Sequence, residues 1–270
     1  MLPFTYLFVP GNWPQRFAKA QASGAGAIIL DLEDSVMPDG KMAARAQIAN
    51  WLSQNPKEGV VVRLNARQSR WFDDDMALVR ESGIACVMLP KTETAEDIAA
   101  VRAHLPEHGV VLPLIESARG VQHVYAIATA PRVQRIAFGM LDYAIDMNLS
   151  GDERGMIYPM SQIALVSRYA GIGSPVAGVT LAIDDQVALL SDLGLARALG
   201  FGAKLCIHPN QVKVIERAMM PTAAQVEWAR RVVTTASAGT GAVQVDGKMV
   251  DKPVLVQAQG ILARAKKQSI

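Results

Sequence analysis

The feature that most constrains the fold is a regular alternation of short apolar runs with helical segments. Eight runs rich in Val, Ile, Leu and Phe recur, at residues 4–10, 27–33, 60–65, 86–91, 110–116, 135–142, 175–180 and 203–209. Segments with helical periodicity follow them, for instance over residues 13–23, 39–54, 95–105 and 184–199. Because the runs are continuously apolar, they are typical of parallel strands that are covered outside by helices and packed inside.

Eight such units predict an α/β fold of the (β/α)8, or TIM barrel, type. A doubly wound open sheet gives a similar pattern, but it more often has fewer strands and a glycine-rich nucleotide fingerprint. Neither GxGxxG nor GxxxxGK[ST] follows any of the runs, so the open sheet is the weaker interpretation.

The residues after the eighth run form a separate pattern. They predict helices over 211–219 and 223–236, a hairpin over 242–251 with a turn at Asp246 and Gly247, and a last helix from Pro253. We therefore expect a catalytic barrel over residues 1–221 and a helix-hairpin-helix segment over 222–270 that serves as a lid or an oligomer contact.

Composition narrows the class of partner. No apolar run approaches the roughly 18 to 20 residues of a membrane helix, and the opening lacks the basic region of a signal peptide, so we expect a soluble, cytoplasmic protein without a membrane partner. A net charge of +2 without a basic block indicates no nucleic acid partner. Cys86 and Cys206 both lie in apolar runs, which favours packed thiols over a disulfide or a zinc site. A small molecule is the expected partner.

Polar residues collect where the predicted strands end. In a (β/α)8 barrel the catalytic groups lie at these C-terminal ends, because the loops that follow form one face. The residues are Glu33, Asp34, Arg63, Asn65, Lys91, Glu116, Asp142 and His208. Any one of them could be a helix cap or a solvated charge. Together they predict a site on that face.

Glu116 and Asp142 end consecutive runs, and neighbouring strands lie about 4.8 Å apart. Two carboxylates at that separation repel unless a cation or a proton lies between them. Two carboxylates, with the remaining positions left to water and substrate, are a common way to hold Mg2+. The alternative makes both residues helix-start acids that need no metal. Asp146, one turn further on, could replace Asp142 as a ligand.

Arg63 lies within an apolar run, where a guanidinium is costly to bury without an anionic partner. Glu33 or Asp34 could be the structural partner, and a substrate carboxylate or enolate could be the functional one. His208 suits either an acid-base role or a hydrogen bond that holds its loop. Lys91 could form a Schiff base, but the polar residues after it indicate an exposed loop.

Several motifs, taken in order, resemble the citrate lyase beta-subunit-like family. This family belongs to the HpcH/HpaI aldolase and citrate lyase group, which includes malyl-CoA and citramalyl-CoA lyases. The motifs are LFVPGN (7–12), ILDLEDSV (29–36), VRLN (62–65), LPK (89–91), PLIESARG (113–120), FGMLDYAID (138–146), IHPNQV (207–212) and VDGKMVDKP (245–253). They cover nearly the whole chain.

The resemblance implies Mg2+ as cofactor, bound through Glu116 and Asp142, and carbon–carbon bond chemistry beside a thioester. Arg63 would lie against the thioester or keto-acid oxygens, while Glu33 and Asp34 would hold that arginine and metal-bound water. The C-terminal segment would close over a neighbouring subunit of a homo-oligomer, a trimer or hexamer, and supply Asp251. As a residue before Lys-Pro, Asp251 is also a good helix N-cap.

One position departs from the family pattern. The chain reads PGNWP where the family usually has PGNRP, so Trp13 replaces an arginine. The expected contacts to substrate and CoA in this region are Asn12, with Arg16 and Lys19 compensating for the missing arginine. Trp13 could instead stack on adenine.

These inferences predict a Mg2+-dependent lyase that cleaves citramalyl-CoA or malyl-CoA to acetyl-CoA and pyruvate or glyoxylate. The nearest alternative is a citrate lyase beta subunit acting on a citryl thioester of an acyl-carrier protein. A malyl-CoA thioesterase or malate-synthase-like activity and a metal-dependent aldolase for free hydroxy-keto acids are further alternatives. A non-catalytic scaffold is disfavoured, because it has no need for this residue set.

Overall fold

The computed structural model describes residues 2–151, 153–238 and 243–265. Its centre is a closed barrel of eight parallel strands, in which each strand pairs with the next in sequence and the last pairs with the first. The strands are β1 (Thr5–Pro10), β2 (Ala27–Asp31), β3 (Val60–Arg63), β4 (Cys86–Leu89), β5 (Val110–Ile115), β6 (Ala137–Phe138), β7 (Val176–Ala177) and β8 (Ala203–Cys206). The predicted (β/α)8 barrel is confirmed.

Helices follow the strands, as the periodicity predicts. They are α1 (Phe17–Gln21), α2 (Lys41–Gln54), α3 (Phe72–Ser82), α4 (Ala95–Arg102), α5 (Ala118–Gln122), α6 (Val124–Ala128), α7 (Met140–Asp146), α8 (Arg154–Tyr169), α9 (Gln186–Ala198) and α10 (Pro209–Met219). Short 3-10 turns at Pro14–Arg16 and Pro38–Gly40 precede α1 and α2. Within the residues that the structure describes, no helix is long and apolar enough to cross a membrane.

The barrel interior is filled by alternate residues of the strands. This cluster contains Tyr6, Ala27, Ile29, Val61, Met88, Leu112, Leu114, Ala137, Val176, Ala203 and Leu205. The residues between them point outward and are also buried, for instance Ile28 and Val62, because helices cover the barrel. Burial on both faces explains why the strands read as continuous apolar runs.

The sixth unit differs from its predicted form. The sequence predicts a strand over the whole run of residues 135–142, but only Ala137 and Phe138 pair in the sheet and α7 begins at Met140. Asp142 therefore lies in the first turn of a helix and not at the end of a strand.

The chain divides into two compact units, Met1–Ile215 and Glu216–Ile270. The sequence predicts this division after residue 221. The second unit contains α11 (Ala223–Ala238), the antiparallel hairpin β9 (Val243–Val245) and β10 (Lys248–Val250), and α12 (Lys252–Ala265). Asp246 and Gly247 both have positive φ, 52° and 73°, which is the backbone of a two-residue hairpin turn. The core of this unit is Ala229, Val232, Val245, Val250, Ala258 and Ile261.

Candidate active site

The centre of the site is an ion pair between Asp31 and Arg63. These residues end β2 and β3 and are register partners in the sheet. Arg63 Nε and Nη2 donate to the two carboxylate oxygens of Asp31 over 2.6 and 2.7 Å. Both side chains are buried, and the ring of Phe8 lies 4.6 Å below the guanidinium. This bidentate geometry fixes the plane of the guanidinium at the C-terminal mouth of the barrel.

Asp31 is held as an ion by its surroundings. Burial alone would raise its pKa, but the charge and hydrogen bonds of Arg63 outweigh burial and hold the pKa below its ordinary value. The backbone N–H groups of Glu33 and Ser35 donate to the same carboxylate over 2.8 and 3.1 Å. The pKa of Arg63 is raised by Asp31, Glu33 and Asp34 against the effect of burial, so the pair stays charged at neutral pH.

Glu33 and Asp34 are both brought to Arg63, as expected. Nη1 of Arg63 lies 3.0 Å from Glu33 Oε2 and 3.2 Å from Asp34 Oδ2. Glu33 is buried, whereas 60% of the Asp34 side chain is exposed. The strongest partner of the arginine is nevertheless Asp31, which is not among the predicted site residues.

Lys91 connects the arginine cluster to Glu116. Its Nζ lies 3.1 Å from Glu33 Oε1, and its backbone N–H donates to Glu116 Oε1 over 2.7 Å. Burial lowers the pKa of Lys91, but the charges of Glu33 and Glu116 outweigh it and raise the pKa. Because a Schiff-base lysine must be neutral to attack a carbonyl, this environment disfavours that role. Lys91 also has a positive φ of 49°, a conformation that costs about 1 kcal/mol or more for a residue with a Cβ.

Glu116 directly follows β5 and is buried in a site crowded with negative charge. Burial, the charge of Glu33 and the charge of Asp142 raise its pKa to about 8. A Cβ atom on Gly139 would lie 2.6 Å from Glu116 Oε2, so this carboxylate occupies space that only a glycine leaves free. Ser117, the next residue, caps α5 by accepting the N–H of Gly120 over 3.1 Å. Glu116 therefore stands between a strand end and a helix start.

The electrostatic contact between Glu116 and Asp142 fits a cation. Asp142 is half-buried in the first turn of α7. Asp146 instead accepts a hydrogen bond from the backbone N–H of Ala118 over 2.7 Å, so its carboxylate is bound to the first residue of α5. Within the described residues no group of three or more His, Cys, Asp or Glu side chains has the arrangement of a metal site. A Mg2+ ion that keeps several waters commonly needs only one or two carboxylates from the protein.

The loop after β1 carries the residues expected to contact substrate or CoA. Asn12, Trp13, Arg16 and Lys19 are all exposed on it or on α1, at the same end of the barrel. The guanidinium carbon of Arg16 lies 3.8 Å from the centre of the Trp13 ring. Trp13 and Arg16 thus form one stacked cationic surface.

Three further predicted residues have their own partners. Asn65 donates its backbone N–H and its side-chain amide to Asp75 Oδ2, each over 2.8 Å, which gives it a structural role. His208 Nδ1 accepts the N–H of Asn210 over 3.2 Å, so it holds its loop. Asp251 lies in the second unit, where its Oδ1 accepts the N–H of Val254 over 3.1 Å and caps α12.

Sequence reasoning missed Lys41 as well as Asp31 and Gly139. Lys41 is buried, and its Nζ donates to the carbonyl oxygens of Leu32 and Glu33 over 2.7 Å each. It thereby fixes the segment that carries Glu33. A lysine at the start of an amphipathic helix is ordinarily exposed, so no local signal marks this one. Asp31 had a signal, since it precedes Glu33 by two residues and alternate residues of a strand face the same side.

Family comparisons agree with this fold. Residues 160–270 match the family described as C-C bond lyase of the TIM-barrel fold, which gives the class of the protein: a barrel enzyme that makes or breaks carbon–carbon bonds. Residues 5–209 match the family described as HpcH/HpaI aldolase/citrate lyase. The chain belongs to this aldolase and citrate lyase family.

Individual relatives cover nearly the whole chain. A citrate lyase subunit beta-like protein of Deinococcus radiodurans is 34% identical over 95% of this chain and 95% of its own. A (3S)-malyl-CoA thioesterase of Cereibacter sphaeroides is 31% identical over 97% of this chain and 95% of its own. The crystal structure of protein CitE from Mycobacterium tuberculosis in complex with magnesium, acetoacetate and coenzyme A has a TM-score of 0.86 and 33% identity, and covers 97% of both chains.

Proposed function

We propose that this protein is a Mg2+-dependent lyase that cleaves a 3-hydroxyacyl-CoA thioester of the citramalyl-CoA or malyl-CoA type. The products would be acetyl-CoA and an α-keto acid, pyruvate or glyoxylate. The observation that carries the proposal is the charged chain from Asp31 through Arg63, Glu33 and Lys91 to Glu116 at the mouth of the barrel. A fixed guanidinium near two carboxylates, Glu116 and Asp142, supports a site for a divalent cation and an anionic substrate.

Glu116 and Asp142 would hold the metal ion. The pKa of Glu116 is raised to about 8 by burial and by the neighbouring carboxylates, so this carboxylate gains most from a nearby cation. When bound, Mg2+ supplies a Lewis acid that acidifies the substrate hydroxyl. Gly139 keeps the space in which Glu116 Oε2 lies.

Arg63 would stabilise the negative charge that develops on the thioester oxygen. A guanidinium has five N–H groups. Nε and one N–H of Nη2 are taken by Asp31, and Nη1 faces Glu33 and Asp34. The second N–H of Nη2 has no acceptor among the described residues and is left for a substrate oxygen. A preorganised donor of this kind is typically worth about 100-fold to 1,000-fold in kcat.

Asn12, Arg16, Lys19 and Trp13 would bind the CoA portion. Two exposed cations on the loop after β1 and on α1 suit phosphate groups, and the Trp13 ring offers a face for adenine. The similar CitE protein was crystallised with coenzyme A, which supports a CoA ester as substrate.

Asp251 would take up the proton that the substrate hydroxyl loses and deliver it to the carbon of the acetyl-thioester enolate, directly or through a water. We place it over the barrel of a neighbouring subunit in a homo-oligomer, as the family resemblance implies. Its cap hydrogen bond to Val254 uses only Oδ1, which leaves Oδ2 for that role.

A thioesterase is the second candidate function, because the malyl-CoA thioesterase relative is 31% identical over almost the whole length of both chains. A citrate lyase beta subunit is the third, from the similarity to citrate lyase subunit beta-like proteins. The three differ in product and in carrier. A lyase releases acetyl-CoA and a keto acid, a thioesterase releases free CoA and a hydroxy acid, and a dependent subunit requires an acyl-carrier protein.

The test is a panel of citramalyl-CoA, malyl-CoA, methylmalyl-CoA and citryl-CoA with Mg2+, with the CoA species resolved by chromatography. We expect one of the first two to yield an acyl-CoA and a keto acid in equal amounts. Free CoA without keto acid would replace the proposal by the thioesterase. Turnover only of a citryl acyl-carrier protein would replace it by the citrate lyase subunit.

A further inference from the structure

The barrel has a cavity at the end opposite to the candidate active site. Its volume is about 350 Å³, and it is lined by the first residues of several strands and by the segments before them. Ala27, Val60, Cys86 and Val110 begin β2, β3, β4 and β5, whereas Arg63 and Glu116 lie at the other ends of their strands. Cavities of roughly this size, from about 300 Å³ upward, hold small organic ligands.

The walls of the cavity are mainly apolar. Tyr6, Ala27, Val61 and Leu112 belong to the interior cluster of the barrel and also face this space. Cys86 packs against the same cluster and also lines the cavity. Burial raises the pKa of its thiol to about 12, so Cys86 presents a neutral, apolar surface.

One buried cation lines the cavity. Arg135 is only 5% exposed. Its Nε donates to the carbonyl oxygen of Ser174, and its Nη1 lies 2.6 Å from the carbonyl oxygen of Pro3 and 3.4 Å from the Tyr6 hydroxyl. All of these acceptors are neutral. In the part of the chain that the structure describes, no carboxylate lies within ion-pair distance of this guanidinium, and no acceptor faces its Nη2.

A buried guanidinium without an anion is costly, and the cost falls when a negative charge reaches it. This arrangement differs from that of Arg63, which has three carboxylates around it. Lys57 and Glu58 also line the cavity, so together with Arg135 its lining carries two cations and one carboxylate. The local charge therefore favours entry of an anion.

We propose that this cavity binds a small monocarboxylate with an apolar body. The carboxylate would lie against Arg135 and the Tyr6 hydroxyl, and the hydrocarbon part would pack among Ala27, Val61 and Cys86. One guanidinium and one hydroxyl match a single carboxylate, whereas a phosphate of higher charge would leave charge unpaired against apolar walls. The site is separate from the candidate active site and does not depend on the proposed function.

The experiment is a calorimetric titration of the intact protein with hexanoate and, as a neutral counterpart, hexanamide. We expect saturable binding of hexanoate and binding of hexanamide that is weaker by about tenfold or more, since charged hydrogen bonds are lost. Arg135→Gln should weaken the binding of hexanoate by a similar factor. Cys86→Leu fills the cavity with apolar atoms and keeps Arg135, so it should weaken the binding of both compounds.

Two controls decide where the probe binds. Arg132 is at the same end of the barrel and also donates to a backbone carbonyl, that of Pro106, but it does not line the cavity. Arg132→Gln and the active-site variant Arg63→Gln should both bind hexanoate like the parent protein. The proposal is overturned if hexanoate does not bind saturably or if hexanamide binds equally well. Binding that survives in Arg135→Gln, or that is lost in Arg63→Gln, also overturns it.

Discussion

The geometry of the candidate site depends on the carboxylates that balance the charge of one buried arginine, Arg63. Arg63 faces three carboxylates, and their exposures differ: Asp31 and Glu33 are buried, while Asp34 is open to solvent. A buried charge pair is much more sensitive to loss of one partner than an exposed pair is. Asp31 should therefore dominate both the stability and the orientation of the guanidinium.

Asp31→Asn is expected to lower the free energy of unfolding at neutral pH by about 3 to 5 kcal/mol, because it leaves Arg63 buried without its main anion. Asp34→Asn removes an exposed partner of the same arginine and should change the free energy by less than about 1 kcal/mol. Urea unfolding measures both values. Equal losses of unfolding free energy in the two variants would show that burial of the ion pair does not determine its contribution to stability.

The pH dependence of this difference follows from the pKa of Asp31. Its pKa is lower in the folded protein than its ordinary value of about 3.9, so ionised Asp31 stabilises the fold above that pH. The stabilisation is lost as the pH falls through the lowered folded value. The stability gap between the parent and Asp31→Asn should thus be constant near neutrality and shrink below about pH 4. A gap that widened in acid would contradict the sign.

Gly139→Ala tests the placement of Glu116. The added Cβ would lie 2.6 Å from Glu116 Oε2, so the carboxylate must move. Misplacement of a catalytic group by about 1 Å can cost about 100-fold in rate, and we expect a loss of that order in lyase activity. Gly194→Ala is the matched control, since Gly194 is exposed in α9 with nothing within 4 Å of its Cβ position. It should keep full activity and gain about 1 kcal/mol of stability.

At the element scale, the periodic apolar runs predict the strands well, because burial on both faces gives a strong signal over several residues. The sequence predicts less well where a strand is short. β6 has two residues, and the apolar residues after it belong to α7, so Asp142 reaches the site from a helix. Glu33, Asp34 and Arg63 lie together in the structure, as the sequence predicts. The contact of Arg63 with Asp31 depends on the register between β2 and β3, and a single sequence does not reveal that register.

Asp251, at the start of α12, has two possible roles that can be tested separately: a helix cap and a proton donor. Its side chain accepts the N–H of Val254, so Asp251→Ala should destabilise the second unit by about 1 kcal/mol. Asp251→Ser keeps a cap and should restore that stability. If Asp251 also supplies the proton, both variants lose activity to a similar extent. Recovery of activity in Asp251→Ser, measured beside thermal unfolding, would reduce the residue to a cap.

At the scale of the whole molecule, the chain consists of two compact units, and the proposed mechanism needs residues of both. Arg63 belongs to the barrel unit and Asp251 to the C-terminal unit. If the site is shared between chains, Arg63→Ala and Asp251→Ala subunits are each inactive alone. Mixed oligomers of the two should regain part of the parent activity, since some sites then combine an intact barrel with an intact C-terminal unit. No recovery in verified mixed oligomers would place both residues in one chain.

If Glu116 holds a divalent cation for catalysis, carbon–carbon cleavage requires both of them. The most direct measurement is the rate of acetyl-CoA formation from citramalyl-CoA and malyl-CoA at varied Mg2+, for the parent protein and for Glu116→Gln. We predict that the parent requires Mg2+ and recovers fully when Mg2+ is restored after chelation, whereas folded Glu116→Gln shows almost no cleavage. Parent-like turnover by Glu116→Gln without a divalent metal would show that neither Glu116 nor the cation is required for cleavage.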